Sequence, residues 1–168
     1  MQISSEKVNS FKEAMGNYPT GVTVVTAIDD KGDPMGLTVN SFASVSLEPL
    51  LILWSIDQKV STYEAFKKVD KFVVNILADN QAEIASLFAS PIGNPERFIN
   101  SDWDLSKYSL PIIKDAMATL QCKTFKQIEA GDHTILIGEV SEITVERKSP
   151  LVYHGRKMGA LPASFHEN

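Results

Sequence analysis

Short runs of apolar residues, rather than long stretches of helical spacing, dominate the chain and predict β-strands. GVTVVTAID, which starts at Gly21, is rich in β-branched residues, and the turn formers DKGDPMG separate it from GLTVNSFASVSLEP, which runs from Gly36 to Pro49. Two strand-like runs joined by such a turn predict a hairpin. The next run, LLILWSI from Leu50 to Ile56, is almost wholly apolar, as is typical of a strand buried on both faces.

Helical spacing is confined to short segments. Either residue of Ser4–Ser5 can cap a first helix, which Gly16 can end. Ser61–Glu64 has the spacing of a capping box and predicts the short helix STYEAFKK. Either residue of Asp79–Asn80 can cap a third helix. The apolar faces of the first and third helices consist of Val8, Phe11 and Met15, and of Ile84, Leu87 and Phe88.

The second half of the chain predicts further strands around one long excursion. KFVVNILA, ATLQCKTFKQI and HTILIGEVSEITVE are strand-like, with the turn EAGD before the last, and LVYH is a shorter candidate. Between them, the segment from Ser90 to Pro111 is rich in Pro, Asn, Ser and Asp, and we interpret it as an ordered excursion rather than a second domain. At least six strands with only short helices predict a single mainly β domain over residues 1–168, with an antiparallel sheet closed or nearly closed as a barrel.

The composition limits which binding partners and which cellular compartment we expect for the protein. The 168 residues are 43% apolar and 22% charged, and a formal net charge of −5 argues against nucleic acid, whose phosphates need a basic surface. No segment is apolar enough for a signal peptide or a membrane span. Cys122 is the only cysteine, so an intrachain disulfide is excluded and we expect a soluble, cytoplasmic protein with Cys122 in its core.

Common catalytic motifs are absent. The chain has no G-x-G-x-x-G, G-x-x-x-x-G-K-[ST], H-E-x-x-H or G-x-S-x-G pattern. His133, His154 and His166 are widely separated, and Cys122 lies apart from them, so we expect neither a metal site nor a Cys/His nucleophile pair. If the protein is an enzyme, a cofactor carries the difficult step.

The segment from Thr38 to Ser46 carries more hydroxyl groups than an ordinary strand. Backbone groups for a ring edge, hydroxyls for a sugar-like chain and a cation for a phosphate are what a flat, polar-edged cofactor needs. Thr38 to Ser46 offers the first two, and Lys59 and Ser61 with the following helix offer the third. A solvated edge strand followed by an ordinary capping box explains the same residues equally well.

Seven stretches, in order along nearly the whole chain, resemble the short-chain flavin reductase family. They are YPTGVTVVTA (Tyr18 to Ala27), GLTVNSFASVSLEP (Gly36 to Pro49), WSIDQKVSTYEAF (Trp54 to Phe66), FVVNILA (Phe72 to Ala78), RF (Arg97-Phe98), AGDHTILIGEV (Ala130 to Val140) and PLVYHGR (Pro150 to Arg156). The resemblance implies an antiparallel Greek-key split barrel, the FMN-binding split barrel, that forms a homodimer.

The resemblance also implies an activity. Members of the family use NADH or NADPH to reduce FMN or FAD and often supply the reduced flavin to a partner monooxygenase. The alternative is a split barrel that holds flavin or haem without turnover, as a carrier or sensor, since fold alone does not decide activity. Hydride transfer needs positioning rather than a dedicated acid or base, so the sequence separates the two functions poorly.

Pattern and resemblance together give a set of expected site residues. Backbone groups around Val39 to Phe42 are expected to hold the flavin ring edge, and Lys59, Ser61 and Thr62 the phosphate. His133 is the one expected catalytic residue, near the ring and nicotinamide; the alternative is a turn histidine bound to Asp132. The full cofactor-binding set is Thr20, Thr38, Val39, Asn40, Ser41, Phe42, Ser44, Ser46, Trp54, Ser55, Lys59, Ser61, Thr62, Arg97 and Phe98.

Overall fold

The computed structural model describes residues 3–166, which form a mainly antiparallel β-structure, as predicted. Its helices are α1 (Ser5–Gly16), α2 (Tyr63–Phe66), α3 (Ala82–Ala89) and α4 (Asn94–Ile99), with a 3-10 turn at Ala163–Phe165. Its strands are β1 (Thr20–Gly21), β2 (Thr23–Ile28), β3 (Pro34–Val39), β4 (Ala43–Leu47), β5 (Leu50–Asp57), β6 (Lys71–Ile76), β7 (Trp103–Leu105), β8 (Pro111–Ile113), β9 (Ala118–Ala130), β10 (His133–Val145), β11 (Leu151–His154) and β12 (Lys157–Ala160).

Among the described residues, the principal sheet has seven strands in the order β3-β2-β6-β9-β10-β5-β4, and every neighbouring pair is antiparallel. Two smaller sheets, β1-β11-β12 and β7-β8, complete the fold. The predicted β2–β3 hairpin is confirmed, and Asp29 closes its turn by accepting from the amides of Lys31 and Asp33 at 2.9 Å each.

The stretch from Gly36 to Pro49 was expected to be one strand, and this was wrong. It forms β3 and β4, which lie at opposite edges of the sheet. The ladder breaks at Asn40–Phe42, where the Ser41 hydroxyl bonds to Ser55 of β5 instead of continuing β3. The segment is therefore a crossover between the two sheet edges.

The sheet is rolled, because residues from strands near both of its edges share one core. Leu37 of β3 and Trp54 of β5 belong to the same buried cluster, together with Phe66 and Phe72, whose rings meet Trp54 edge to face. Burying one phenylalanine side chain contributes about 2 kcal/mol. No ladder joins β3 to β4 among the described strands, so the barrel remains split.

A second core lies outside the barrel, beneath the long excursion. Val24 of β2 packs there with Phe88 of α3 and Phe98 of α4. The excursion itself is held to the sheet, since Thr26 Oγ1 donates to the Pro111 carbonyl at 2.6 Å. Its helix and its β7–β8 pair are therefore ordered against the barrel.

The helix predictions are corrected at their ends. Ser4 caps α1 as expected, but the predicted capping box does not form, because α2 is a four-residue helix whose N-cap is Thr62, without a side-chain cap bond. The N-cap of α3 is Gln81 rather than Asp79 or Asn80. None of the helices described between residues 3 and 166 is both long and apolar enough to cross a membrane.

Apolar surfaces of β5 and α1 are partly open, and the prediction that β5 is buried on both faces is wrong. On β5, Ile52, Trp54 and Ile56 face the core, but the alternate residues are half-buried, so the strand is not covered on both faces. On α1, the apolar face is exposed, with Phe11 at 67%.

Candidate functional site

The free edge of β3 is the most unusual feature near the expected site. Among the described strands, none pairs with the side of β3 that faces away from β2. At Gly36 this edge is occupied by side chains: Asn94 Oδ1 accepts from the Gly36 amide at 3.2 Å, and Arg97 Nη1 donates to the Gly36 carbonyl at 2.8 Å. The backbone groups of Gly36 thus point away from β2.

Alternation along the strand fixes where the next backbone groups point. Val39 faces β2, since its carbonyl accepts from Thr23 Oγ1 at 2.9 Å, and the β2–β3 register is regular. Thr38, like Gly36, therefore directs its amide and carbonyl to the free edge. Among residues 3–166, the Thr38 amide and carbonyl have no partner outside the sheet, so a donor and an acceptor lie side by side where a ligand with a polar edge can use them.

A cavity of about 250 Å³ lies along this edge. Ala85 and Ala89, one turn apart on α3, leave the space, and Tyr153 of β11 closes one side. The full lining is Val22, Thr38, Val39, Asn40, Ala85, Ala89, Tyr153 and Met158. A mostly apolar cleft with a few converging polar groups is typical of a small-molecule site.

Three of the hydroxyls predicted to contact a ligand form hydrogen bonds within the fold. Thr38 Oγ1 donates to the Ala85 carbonyl at 2.6 Å and ties β3 to α3. Ser41 Oγ donates to the Ser55 carbonyl and accepts from the Ser55 amide, both at 3.0 Å. Ser46 Oγ accepts from the Glu48 amide at 3.2 Å in a turn. Ser44 is exposed on β4 and is the hydroxyl of this group left open.

The expected phosphate-binding residues lie just after β5. Asp57 Oδ1 accepts from the Lys59 amide at 2.8 Å and shapes the turn, while the side chains of Lys59 and Ser61 are exposed. Thr62 is buried, so its side chain does not reach solvent. Lys59 and Ser61 therefore remain the residues of this group that can meet an anion.

The turn between β9 and β10 comes close to this segment. Gly131 has φ +66°, and the Asp132 carbonyl accepts from the Gln58 amide at 3.0 Å, which joins the turn to the end of β5. His133 Nδ1 lies 2.7 Å from Asp132 Oδ1. This hydrogen bond, with the nearby charges of His133 and Lys59, lowers the pKa of the Asp132 carboxyl. The arrangement fixes one ring nitrogen of His133 and leaves the half-exposed ring facing solvent.

Several expected ligand contacts lie inside the protein instead. Trp54 is 0% exposed and belongs to the barrel core, and Phe98 is buried in the second core. Arg97 is 9% exposed, and burial lowers its pKa. Phe42 packs against the barrel core. None of these four side chains is among the residues that line the cavity.

The structure locates Thr20, a member of the expected set, and adds other residues that this set lacked. Thr20 pairs with Tyr153 across β1 and β11, and its hydroxyl is buried without a partner among the described residues. Ala85, Ala89 and Met158 line the cavity, and nothing in the sequence distinguished them from core positions.

Comparison with known proteins agrees with this architecture. Residues 15–162 match the family model described as a flavin reductase like domain. The chain is 42% identical over 148 residues to the reductase component of the flavin-dependent trigonelline monooxygenase of Acinetobacter baylyi, which covers 88% of this chain and 47% of that protein. It is 38% identical over 154 residues to FMN reductase (NADH) SmoA of Agrobacterium fabrum, covering 92% and 86%. The chain thus spans about half the length of the first relative.

Among the solved structures, flavin reductases are also similar to this chain. The flavin reductase PheA2 in its native state superposes with a TM-score of 0.84 at 36% identity, covering 95% of this chain and 99% of that one. The NADH:FAD oxidoreductase SgcE6 of Streptomyces globisporus, in complex with NAD and FAD fragments, superposes with a TM-score of 0.87 at 31% identity, covering 96% and 97%.

Proposed function

The chain belongs to the flavin reductase-like domain family, and on that basis we propose that it catalyses hydride transfer from a reduced nicotinamide to FMN or FAD. The observation that carries the proposal is the free edge of β3, where Thr38 directs its amide and carbonyl toward the cavity of about 250 Å³. The polar edge of an isoalloxazine ring presents both donors and acceptors, so it matches such a pair of backbone groups.

The residues around the cavity fit a bound flavin in their chemistry. When bound, the flavin supplies the hydride acceptor, which no side chain of the protein can provide. Thr38 and Asn40 hold the ring edge through the backbone, and Ala85 and Ala89 leave room beside it. The exposed ammonium group of Lys59 binds the phosphate and neutralises part of its charge. The exposed hydroxyl group of Ser61 also binds the phosphate.

His133 and Tyr153 are the residues we assign to the nicotinamide side. Asp132 binds Nδ1 of His133 and leaves the rest of the ring free to donate to the carboxamide or to face negative charge. Hydride transfer depends on close and oriented contact, so these residues act by positioning. NADH is the first reductant to test, because SmoA is named as an FMN reductase (NADH) and SgcE6 as an NADH:FAD oxidoreductase.

A partner oxygenase follows from the same proposal. Relatives are named as reductase components or subunits of monooxygenases, among them the trigonelline enzyme of Acinetobacter baylyi and HsaB of Rhodococcus jostii. A reductase whose flavin site opens at a sheet edge can release reduced flavin to such a partner.

The cytoplasm, with its nicotinamide pool, is the expected compartment, and the free, buried thiol of Cys122 is consistent with it.

A second copy of the chain is the partner we propose for the apolar outer face of the barrel. The outward-facing residues of β5 and β10 lie opposite one another there, as in the pair Leu53 and Ile137, and they are half-buried rather than covered. The adjoining β4–β5 hairpin exposes Leu47 at 87%. Homodimer interfaces are more apolar than the rest of a protein surface, which this face resembles.

Purified protein tests the proposal directly. NADH and NADPH are each combined with FMN and FAD, and nicotinamide oxidation is followed by its absorbance. Oxidation above the protein-free rate is expected in at least one combination. If none shows it while flavin still binds, the protein is a flavin carrier, and the reductase proposal is wrong.

A further inference from the structure

Asn94 and Arg97 together replace a missing neighbour strand at the edge of β3. The Asn94 side chain accepts the Gly36 N–H at 3.2 Å, and Arg97 Nη1 donates to the Gly36 C=O at 2.8 Å. A neighbouring strand would satisfy the same donor and acceptor of one residue. The two side chains therefore complete the hydrogen bonds of an edge strand at a single residue.

The guanidinium is held firmly enough to act as a fixed point. Arg97 Nη2 donates to the Ser90 carbonyl at 2.6 Å, and Nη1 also lies 3.5 Å from Asn94 Oδ1. The next residue, Phe98, packs edge to face on both Phe88 and Trp103. Arg97 thus links α4, the start of the excursion and β3 in one rigid unit.

Gly36 allows the close approach on which this contact depends. A Cβ at this position would lie 2.9 Å from the Phe88 ring and 3.1 Å from the Thr26 methyl group. Any side chain would therefore push β3 away from α3. Because Gly36 has no side chain, β3 packs closely against α3, and the Gly36 backbone lies within hydrogen-bond distance of Asn94 and Arg97.

The charge of Arg97 has no local electrostatic partner. Within residues 3–166, no carboxylate lies within ion-pair distance of its guanidinium, and Nε has no hydrogen-bond acceptor. Burying a cation without a counter-charge is unfavourable. An arginine in this position is thus a poor choice for stability alone and a good one for holding two carbonyl groups at fixed positions.

The next residue that faces the same edge is Thr38, where these contacts stop. Its hydroxyl is bound to the Ala85 carbonyl, but its amide and carbonyl open onto the cavity. The position of these groups is therefore fixed from the Gly36 side by Asn94 and Arg97. We propose that Asn94 and Arg97 are positioning residues for the flavin-binding edge: by occupying the strand edge at Gly36, they hold the Thr38 backbone in the orientation that the flavin ring needs. This inference rests on the proposed function.

Hydrogen exchange of the flavin-free protein gives the first readout, because it needs no ligand. Arg97→Met and Asn94→Ala are expected to speed amide exchange in peptides covering residues 36–40, with β9 and β10 unchanged. Arg147→Met, the same chemical change at an exposed arginine, is the matched control and is expected to leave exchange as in the unaltered protein. Unchanged exchange at residues 36–40 in both test variants overturns the proposal.

Flavin affinity is the second readout, measured by fluorescence titration well below the Tm of each variant. Arg97→Met and Asn94→Ala are expected to raise the flavin Kd about tenfold. Asn94→Asp keeps the acceptor for the Gly36 amide and is expected to restore most of the affinity. Phe72→Leu, which weakens the barrel core, is the control for lost stability and is expected to leave the Kd unchanged.

Three outcomes contradict positioning. They are an unchanged Kd in both test variants, an equal rise in Phe72→Leu, and full affinity in Arg97→Lys, which keeps the charge but cannot bind both carbonyls as a guanidinium does. Should Arg97→Met fail to fold, Arg97→Lys and Asn94→Ala carry the same test. If the unaltered protein binds neither FMN nor FAD, the proposed function is wrong, and the exchange experiment still reports whether the two side chains fix the edge.

Discussion

The hydroxyl of Ser41 donates to the Ser55 carbonyl and accepts from the Ser55 amide, each at 3.0 Å. One side chain thus supplies both hydrogen bonds that a strand residue would exchange with its neighbour. Because Ser41 lies in the crossover from β3 to β4 and Ser55 in β5, the contact joins the two sides of the split barrel. Asn40, which lines the cavity, therefore adjoins a residue that contacts β5 four residues before Lys59.

Ser41→Ala is expected to destabilise the protein by about 1–3 kcal/mol, since it leaves the amide and carbonyl of Ser55 without a partner. Urea denaturation measures the change. Ser44→Ala, at an exposed serine of β4, is the matched control and is expected to alter stability by less than about 0.5 kcal/mol. Equal changes in the free energy of unfolding would show that the Ser41–Ser55 contact stabilises the protein no more than an exposed serine does.

Lys59→Ala and Ser61→Ala are expected to weaken FMN binding about tenfold each while the Tm changes little, because both side chains are exposed and each would lose one charged or polar contact to phosphate. Titration with riboflavin, which lacks the phosphate, separates this cause from others. The variants should bind riboflavin as the unaltered protein does. A parallel loss of riboflavin affinity would place these residues away from the phosphate.

His133→Ala is expected to lower kcat or raise the nicotinamide KM while flavin affinity is retained, since His133 is assigned to the nicotinamide side. Steady-state kinetics with a flavin titration measures both. Asp132→Asn keeps an acceptor for Nδ1 but removes the charge, and it is expected to have a smaller effect. Unaltered kinetics in His133→Ala would show that His133 has only a structural role, as a turn residue hydrogen-bonded to Asp132.

Ile137→Lys is expected to convert a homodimer into a monomer, because it places a charge in the apolar outer face of β5 and β10. Light scattering at micromolar concentration gives the mass. Ile99→Lys changes a residue of α4 that is 81% exposed and serves as the control that should remain dimeric. A monomeric unaltered protein would contradict the dimer itself.

Cys122 gives a prediction about pH. Burial raises the pKa of its thiol from 9.0 to about 12. The folded state therefore keeps the proton that the unfolded state loses, so this stabilising contribution is complete below pH 9 and is lost as the pH rises toward 12. The native thiol is expected to resist an aromatic disulfide reagent at mildly alkaline pH and to react once the protein is unfolded. Rapid reaction of the native protein would contradict burial.

The strands and the family could be predicted from the sequence, whereas several contacts of the site could not. Apolar runs identified β2, β5, β6, β9 and β10 because burial of β-branched residues is a local property of the sequence. The partners of Thr38 and Ser41, Ala85 and Ser55, are distant in sequence, so the use of those hydroxyls by the fold left no local pattern. The partners of Arg97 are equally distant in sequence: the carbonyl groups it binds belong to Gly36 and Ser90.

Nicotinamide oxidation in the four combinations of NADH or NADPH with FMN or FAD tests the central claim most directly. The account predicts oxidation above the protein-free rate, with NADH as the better reductant, and a loss of that rate in Arg97→Met at low flavin that is recovered at saturating flavin. No oxidation above the protein-free rate in any combination would contradict it.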